Sequence, residues 1–485
     1  MPKKKHIWLI TTDQMRGDAM GFLNSAVITP NLDKLAAEGT VFSSAYCASP
    51  VCTPSRASIF TGRYPQVHGA WNIGVSLNED EETLCDHLKQ AGYRTAGVGK
   101  MHFRQQLKNG FGHEAEEVSI RDRGRERDGT YYGFDEHHIS EDNMIGEYLD
   151  EIRSRAPEAA SRLKRDWYRS DNADGDVWES ELPLELHQTR WIADHSIRVI
   201  EEHSSEQPLF LWSSFVDPHH PFNAPEAFAK LYEGKDVPMP KGDASDGLGR
   251  PEHLRIQKLG GYWPGGGGAH SLDKKQMQRL VRNYYAMISF IDEEIGRILR
   301  AWEEKGLNDE LVIVFTSDHG ELLGDHGLLY KGPWFYEGLT RIPMIFKGPG
   351  IKQGLITDAL IEHVDIVPTL LDLTGWESIP EGIHGISQRE VIEGNRDCVR
   401  VSALTEYDAH DRGIHAKCLR TNRYKLVIFA DEGYGELFDL EKDPNERNNL
   451  FFNKEYQEIK CKMMETMIHR QMQAQDPLPV RKALW

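Results

Sequence analysis

Leu311-Val312-Ile313-Val314-Phe315-Thr316-Ser317-Asp318-His319-Gly320 decides the fold. Six consecutive apolar or β-branched residues ending in a polar turn read as a strand buried on both faces, the kind found in parallel sheets. Three other runs share this form. Residues 7–11 end at Thr12-Asp13-Gln14, the short run 94–98 delivers Gly99-Lys100-Met101-His102, and 208–215 leads into Asp217-Pro218-His219-His220-Pro221-Phe222. Residues 41–46 and 343–346 read as further strands. Helical patterns separate them. One opens at Thr29-Pro30, one covers 83–91 and stops at Gly92, one covers 192–202, and a long one covers 272–305 with Ile288, Ile291, Ile295 and Ile298 on one face. Strands alternating with helices predict an α/β fold, a large mostly parallel sheet flanked by helices.

Beyond Leu373 the texture changes. Residues 416–428 and 436–440 read as antiparallel strands and 454–472 as a closing helix. The expected division is a catalytic α/β domain over 1–373 and a smaller domain of antiparallel sheet plus helix over 374–485. A polar, strongly charged insertion at about 103–190 and a long loop at about 223–270 interrupt the first. The run Gly265-Gly266-Gly267-Gly268 in that loop follows no strand and lacks the phosphate-loop pattern, so nucleotide binding is not expected from it. No internal repeat is visible.

At 485 residues the chain is long enough to bury a large core, and 39% hydrophobic with 27% charged residues fits a globular protein. A formal net charge of −19 argues against a broad nucleic-acid surface, which needs a basic face, but not against a small anion held by a few converging cations. No apolar run is long enough to span a membrane. Met1-Pro2-Lys3-Lys4-Lys5 before residues 6–10 imitates a secretion signal, but the apolar run is too short and lacks a cleavage site. The six cysteines, Cys47, Cys52, Cys85, Cys398, Cys418 and Cys461, form neither zinc pairs nor a disulfide framework. Reduced thiols and a cytoplasmic location are the expectation.

Ligands of open α/β sheets bind beyond the carboxyl ends of the strands. That rule collects Asp13, Gln14, Lys100, His102, His219, Asp318 and His319 in one cleft. Singly, each has a plainer reading: an Asp-His pair after a strand caps a turn, and a lone histidine or lysine is structural or solvated. Cys52-Thr53-Pro54-Ser55-Arg56 adds a cysteine where a helix is expected to begin. Pro54 suits the first helical position, which would place Cys52 just before a set of free N–H groups, with Arg56 one turn on.

The spacing Cys52-x-Pro54-x-Arg56 resembles the signature of the formylglycine-dependent sulfatases of the alkaline phosphatase superfamily. The N-terminal run from Asp13 to Cys52 and Asp443-Pro444-Asn445-Glu446 near the other end also resemble that family. The resemblance implies that a sulfatase-maturating enzyme converts Cys52 to formylglycine, whose hydrate is the nucleophile. It assigns Asp13, Gln14, Asp318 and His319, with the modified Cys52, as ligands of one divalent metal, usually calcium. Arg56, Lys100, His102, His219 and Lys331 match the family's sulfate-binding and proton-transfer positions. His219 rather than His220 fits the pattern Pro-His-x-Pro-Phe. Many sulfatases have two aspartates at the first metal pair and asparagine at the last position, whereas this chain has Gln14 and His319. A nitrogen ligand weakens the case for calcium and leaves manganese, magnesium or zinc open.

The implied activity is hydrolysis of a carbohydrate or small-molecule sulfate ester. Phosphonate monoester or phosphodiester hydrolases are the nearest alternative, because they share Asp13-Gln14 and Asp318-His319, although they tend to lack the lysine and histidine of Gly99-Lys100-Met101-His102. Choline sulfatases share Asp-Gln and Gly-Lys-Met-His-Phe, and a non-catalytic anion-binding protein is the most distant alternative. Trp71 and Asn72, after His68-Gly69, are further candidates for lining the pocket.

Overall fold

The apolar runs around Trp8, Leu211 and Ile313 lie side by side in the computed structural model. Strand β1 (His6–Thr12) runs parallel to two others. Trp8 pairs with Leu211 of β5 (Leu209–Ser214) and with Ile313 of β6 (Leu311–Ser317). Beyond β5 the sheet continues, again parallel, through β3 (Arg94–Gly99) and β4 (Glu136–Ile139). On the other side it turns mixed. Strand β8 (Met344–Lys347) is antiparallel to β6 and to β2 (Thr40–Tyr46), which also takes the two-residue β7 (Arg341–Ile342) antiparallel and β9 (Leu355–Glu362) parallel. Five of the eight strand pairings described in this sheet are parallel, in keeping with the expected architecture. The structure describes residues 5–104, 130–142, 146–167, 177–204, 206–242, 269, 272–376, 378–430 and 433–475.

Period-two alternation assigns each strand residue to one of two helical layers. Trp8 and Ile10 of β1, with Ile313 and Phe315 of β6, face the helices Gln188–Glu202 and Lys274–Glu304. Ile7, Leu9, Val312 and Val314 face the opposite layer, where Ile59 and Phe60 of helix Cys52–Thr61, Leu88 and Leu370 pack. With both faces covered, every position of β1, β5 and β6 is buried. That is why those strands read as continuous apolar runs rather than as alternating patterns.

The C-terminal strands β10 (Ala403–Ala409), β11 (Ile414–Arg420), β12 (Tyr424–Phe429) and β13 (Gly435–Asp439) form an antiparallel four-stranded sheet. One face packs Leu404, Leu419, Leu426 and Leu437 on Met463 and Met467 of helix Gln457–Gln473. The other packs Tyr407, Val427 and Phe438 on Trp334, Phe335 and Tyr336. This second face holds the loop that follows β6. Lys425 is buried beneath it, its Nζ 2.7 Å from Phe335 O and from carboxylate oxygens of Glu337 and Glu446. At the edge, Glu406 N donates to Ala48 O at 2.8 Å, fastening β10 to the segment just before Cys52.

Several boundaries differ from expectation. The helix expected to begin at Pro54 begins at Cys52, with Val51 as its extended N-cap. Pro54 is therefore its third residue. The first four N–H groups of a helix have no internal partner, so proline is tolerated throughout that turn. Strands β9 and β10 have no counterpart in the sequence reading, because β9 begins with four partly exposed positions, Leu355 to Asp358, and β10 carries Glu406 and Asp408. In the loop expected at 223–270, the described part is no bare surface connection. Phe228 and Tyr232 are buried, and Tyr232 Oη receives the N–H of Ile28. Of the expected insertion at 103–190, β4 and the helices Glu147–Arg155 and Pro157–Trp167 are seen. Residues 105–129, 143–145, 168–176 and 243–268, the glycine run included, lie outside the described residues. No helix among the described residues is long and apolar enough to cross a membrane.

Candidate active site

The turns after β1, β3, β5 and β6 converge on the first turn of helix Cys52–Thr61, and all the residues singled out from the sequence there are buried. Lys331 Nζ lies 3.1 Å from Cys52 Sγ and 3.4 Å from His319 Nε2. Lys100 Nζ lies 2.6 Å from Asp13 Oδ2, and Lys331 Nζ is 3.9 Å from Asp13 Oδ1. Backbone geometry helps to aim these groups. Gln14, His102 and Tyr330 all adopt positive φ, at 72°, 54° and 65°, a region non-glycine residues occupy mainly where the surroundings impose it. Gly99, at φ 101°, allows the close approach of β3 to β5, because a Cβ there would meet Ser214 O at 2.0 Å. Lys100 N then bonds that same carbonyl at 3.0 Å.

Arg56 lies beneath the carboxylates with its donors taken. Nε meets Asp318 Oδ2 at 2.8 Å, Nη2 meets Asp13 Oδ2 at 3.3 Å, and Nη1 donates to Lys100 O and Ser214 Oγ, each at 2.8 Å. Its guanidinium thus spaces two aspartates that arrive from different strands. The other oxygen of Asp318 accepts from Gln14 N at 3.1 Å and from His319 N at 2.8 Å.

Charge is distributed to favour an anion at Cys52. Burial pushes its thiol up, but Lys331, Lys100 and His102 together outweigh that and hold it well below the ordinary thiol range. Asp13 is likewise raised by burial and pulled far down by Lys100, Lys331, His219 and Arg56. His219 is held well below the usual imidazole range by burial, then by His220 and Lys331. Lys331 itself stays above its ordinary value, since Cys52 and Asp13 override its burial.

Asp13, Cys52, Asp318 and His319 each bring one ligating atom into a single group within 4.8 Å of one another. Asp13 Oδ1 and Gln14 Oε1 are buried without a hydrogen-bond partner. His319 Nδ1 is 2.8 Å from Gly320 O, so its proton is used there and Nε2 faces Asp13 Oδ1 at 3.7 Å and Asp318 Oδ1 at 3.8 Å. Two carboxylates, an amide oxygen and an imidazole nitrogen turned inward fit a divalent cation. Gln14 Nε2 is bonded to Glu321 Oε2 and lies 3.3 Å from His220 Nδ1, which leaves its oxygen as the available atom.

Two acidic residues at the carboxyl end of β4 belong to the cluster although nothing in the sequence reading selected them. Glu141 Oε1 accepts the N–H groups of Met101 and His102, at 3.1 and 2.8 Å. Asp142 Oδ2 lies 2.7 Å from Lys100 Nζ and 3.8 Å from His219 Nε2. The strand Glu136-His137-His138-Ile139 is short and polar, so no apolar run advertised the turn that follows it. His220 also joins the site, stacked on His219 at 4.1 Å and set against Tyr330 at 4.3 Å. Trp71 and Asn72 contact the C-terminal sheet. Asn72 Nδ2 donates to Asp408 O and the Trp71 ring meets His410, both at the end of β10.

Comparison with known proteins agrees with this geometry. The family model described as Sulfatase matches residues 5–376, and that of the N-sulphoglucosamine sulphohydrolase C-terminal region matches 324–473. An arylsulfatase of Clostridium perfringens is 33% identical over 94% of this chain and 92% of its own. An N-acetylglucosamine-6-O-sulfatase of Bacteroides thetaiotaomicron is 28% identical over 99% of this chain and 88% of its own. The crystal structure of a phosphonate monoester hydrolase of Agrobacterium radiobacter superposes with a TM-score of 0.83 at 26% identity, covering 97% of this chain and 96% of that one. With the Sulfatase model matched along three-quarters of its length and a cysteine set among converging cations at a helix start, the chain belongs to the sulfatase family.

Proposed function

We propose that this sulfatase hydrolyses a carbohydrate sulfate ester, and that Cys52, matured to formylglycine by a sulfatase-maturating enzyme, supplies the nucleophile. One observation carries the proposal: Cys52 Sγ sits at a helix N-terminus with Lys331 Nζ at 3.1 Å, where Lys331, Lys100 and His102 jointly favour negative charge. An oxygen placed there is stabilised as it attacks sulfur. A divalent metal held by Asp13, Gln14, Asp318 and His319 would add Lewis-acid polarisation. Calcium, usual in the family, is the first candidate for that metal, and the inward imidazole of His319 leaves manganese, magnesium or zinc open. Arg56 fixes Asp13 and Asp318, and Lys100 and Lys331 neutralise the ester oxygens.

In the displacement, a hydroxyl of the hydrated formylglycine gives its proton to Asp318 as it forms the bond to sulfur, the bond from sulfur to the ester oxygen breaks, and the departing alcohol takes a proton. His219, with Lys331, supplies that proton: burial, His220 and Lys331 hold His219 below the usual imidazole range, while Cys52 and Asp13 hold Lys331 above its ordinary value. His102 then accepts the proton of the second hydroxyl, so that sulfate leaves and the aldehyde returns. We retain 1–373 as the catalytic unit and 374–485 as its smaller companion.

The sugar preference draws support from the N-acetylglucosamine-6-O-sulfatase relative and from a cavity of about 600 Å³ whose walls include Arg162 and Trp178. Its lining shares Ser180, Leu182 and Asn223 with a smaller cavity that reaches His219 and His220. That volume lies in the usual range for ligand sites. Turnover of aryl sulfate, sulfated monosaccharides, choline sulfate and an aryl phosphonate monoester by matured enzyme tests the reading. Sulfated sugars are expected to give the highest kcat/KM, and a preference for the phosphonate would transfer the chain to the alternative activity. His102→Ala is expected to accumulate sulfated enzyme, heavier by one sulfate group in intact mass after brief exposure to substrate. Unmodified protein with normal turnover would remove His102 from that role.

A further inference from the structure

The pocket that should welcome an anion contains a carboxylate with no place among the metal ligands. Asp142 is 8% exposed and stands at the carboxyl end of β4. Its Oδ2 is 2.7 Å from Lys100 Nζ and 3.8 Å from His219 Nε2, and one of its oxygens falls within 4.8 Å of a ligating atom of His102. Lys100, His102 and His219 are the side chains proposed to meet the ester. A negative charge beside them lowers the attraction for any anion, and lowers it more for a dianion than for a monoanion. At these separations in a buried site the interaction of one further unit charge is large.

Sulfate esters carry one negative charge at every physiological pH. Phosphate monoesters of the same shape carry nearly two above their second pKa of about 6. Size and tetrahedral geometry scarcely separate the two. Net charge does, and a built-in repulsion discriminates where attractive contacts cannot.

We propose that Asp142 is a specificity-determining residue that biases the pocket toward singly charged tetrahedral esters and against doubly charged phosphate monoesters. The inference rests on the anion-site reading of the Cys52 cluster given above. A purely positioning role for Asp142, orienting Lys100 alone, makes a different prediction, since it would affect both ligands alike.

The test compares binding of methyl sulfate, a monoanion, and methyl phosphate, a dianion, at pH 8 to wild-type protein and to Asp142→Asn, which is nearly isosteric. Binding is read on unmatured protein throughout, so that the Cys52 thiol is common to every arm of the comparison. The ratio of the methyl phosphate to the methyl sulfate association constant is expected to rise about 10–100-fold in Asp142→Asn. Asp142→Glu, which keeps the charge, should stay near the wild-type ratio and serves where the asparagine variant folds poorly; a rise in the glutamate variant would count against the proposal. An unchanged ratio in Asp142→Asn overturns it, whether both ligands weaken together or neither moves, and so does a wild-type protein that binds neither. Turnover of aryl sulfate by matured wild-type enzyme reads the sulfatase function separately, so a failure of one is not mistaken for a failure of the other.

Discussion

Cys52→Ala, expressed with a maturation system, is expected to lose at least about 10⁴-fold in kcat toward an aryl sulfate while keeping its thermal unfolding midpoint within a few degrees. The loss is large because nothing else in the cluster can take the nucleophile's place. Lys331 and Lys100 are cations, Asp13 and Asp318 are fixed by Arg56, and His319 Nε2 is turned toward the carboxylates. The fold should tolerate the change because Cys52 contributes one small atom to a first helical turn that Ser55 N and Val51 O already close at 3.3 Å. Full activity in the alanine variant would reject the nucleophile assignment outright. Intact mass of the wild-type protein, read in parallel, shows whether the thiol has become an aldehyde.

Arg56→Ala should have the largest effect on stability of any single change at the site, about 3–5 kcal/mol in denaturant unfolding of the metal-free protein. The guanidinium is wholly buried and serves Asp13, Asp318, Lys100 O and Ser214 Oγ at once. Removing it leaves carboxylates close together in a buried site, with Lys100 compensating Asp13 and two N–H groups compensating Asp318. Added divalent metal should recover part of the loss by replacing the missing positive charge. A variant as stable as wild type would mean that those aspartates do not depend on Arg56 for their ionised pairing. Arg56→Lys is expected to fall between the two, because one ammonium cannot reproduce a planar fork of donors.

Much of the fold and of the cluster was legible because local pattern and placement agree. The strand at 311–317 announces itself by six buried apolar or β-branched positions, and the turn after it carries Asp318 and His319. The same logic placed Asp13, Lys100, His102 and His219 at strand ends. It missed Glu141 and Asp142 because β4 is only four residues long and lies at the end of the sheet order, where half-buried polar side chains are tolerated. Setting His220 aside followed a motif, whereas its stacking on His219 and Tyr330 depends on where the β5 and β6 turns meet. The contacts of Trp71 and Asn72 with His410 and Asp408, more than three hundred residues away, likewise depend on tertiary packing.

The sequence by itself determined the α/β class, the helix that carries Cys52 and the strand ends that deliver the charged residues, because backbone periodicity and a proline near a helix start are local properties. Only the tertiary structure decided which charges face one another. Arg56 is positioned to fix the two aspartates, Lys331 is brought to Cys52 by a loop pressed down by the C-terminal sheet, and Asp142 is set against Lys100 and His219. Coulomb energies in a buried site depend on distances of a few ångströms, and residues far apart in the chain acquire those distances only when the sheet and its loops have packed.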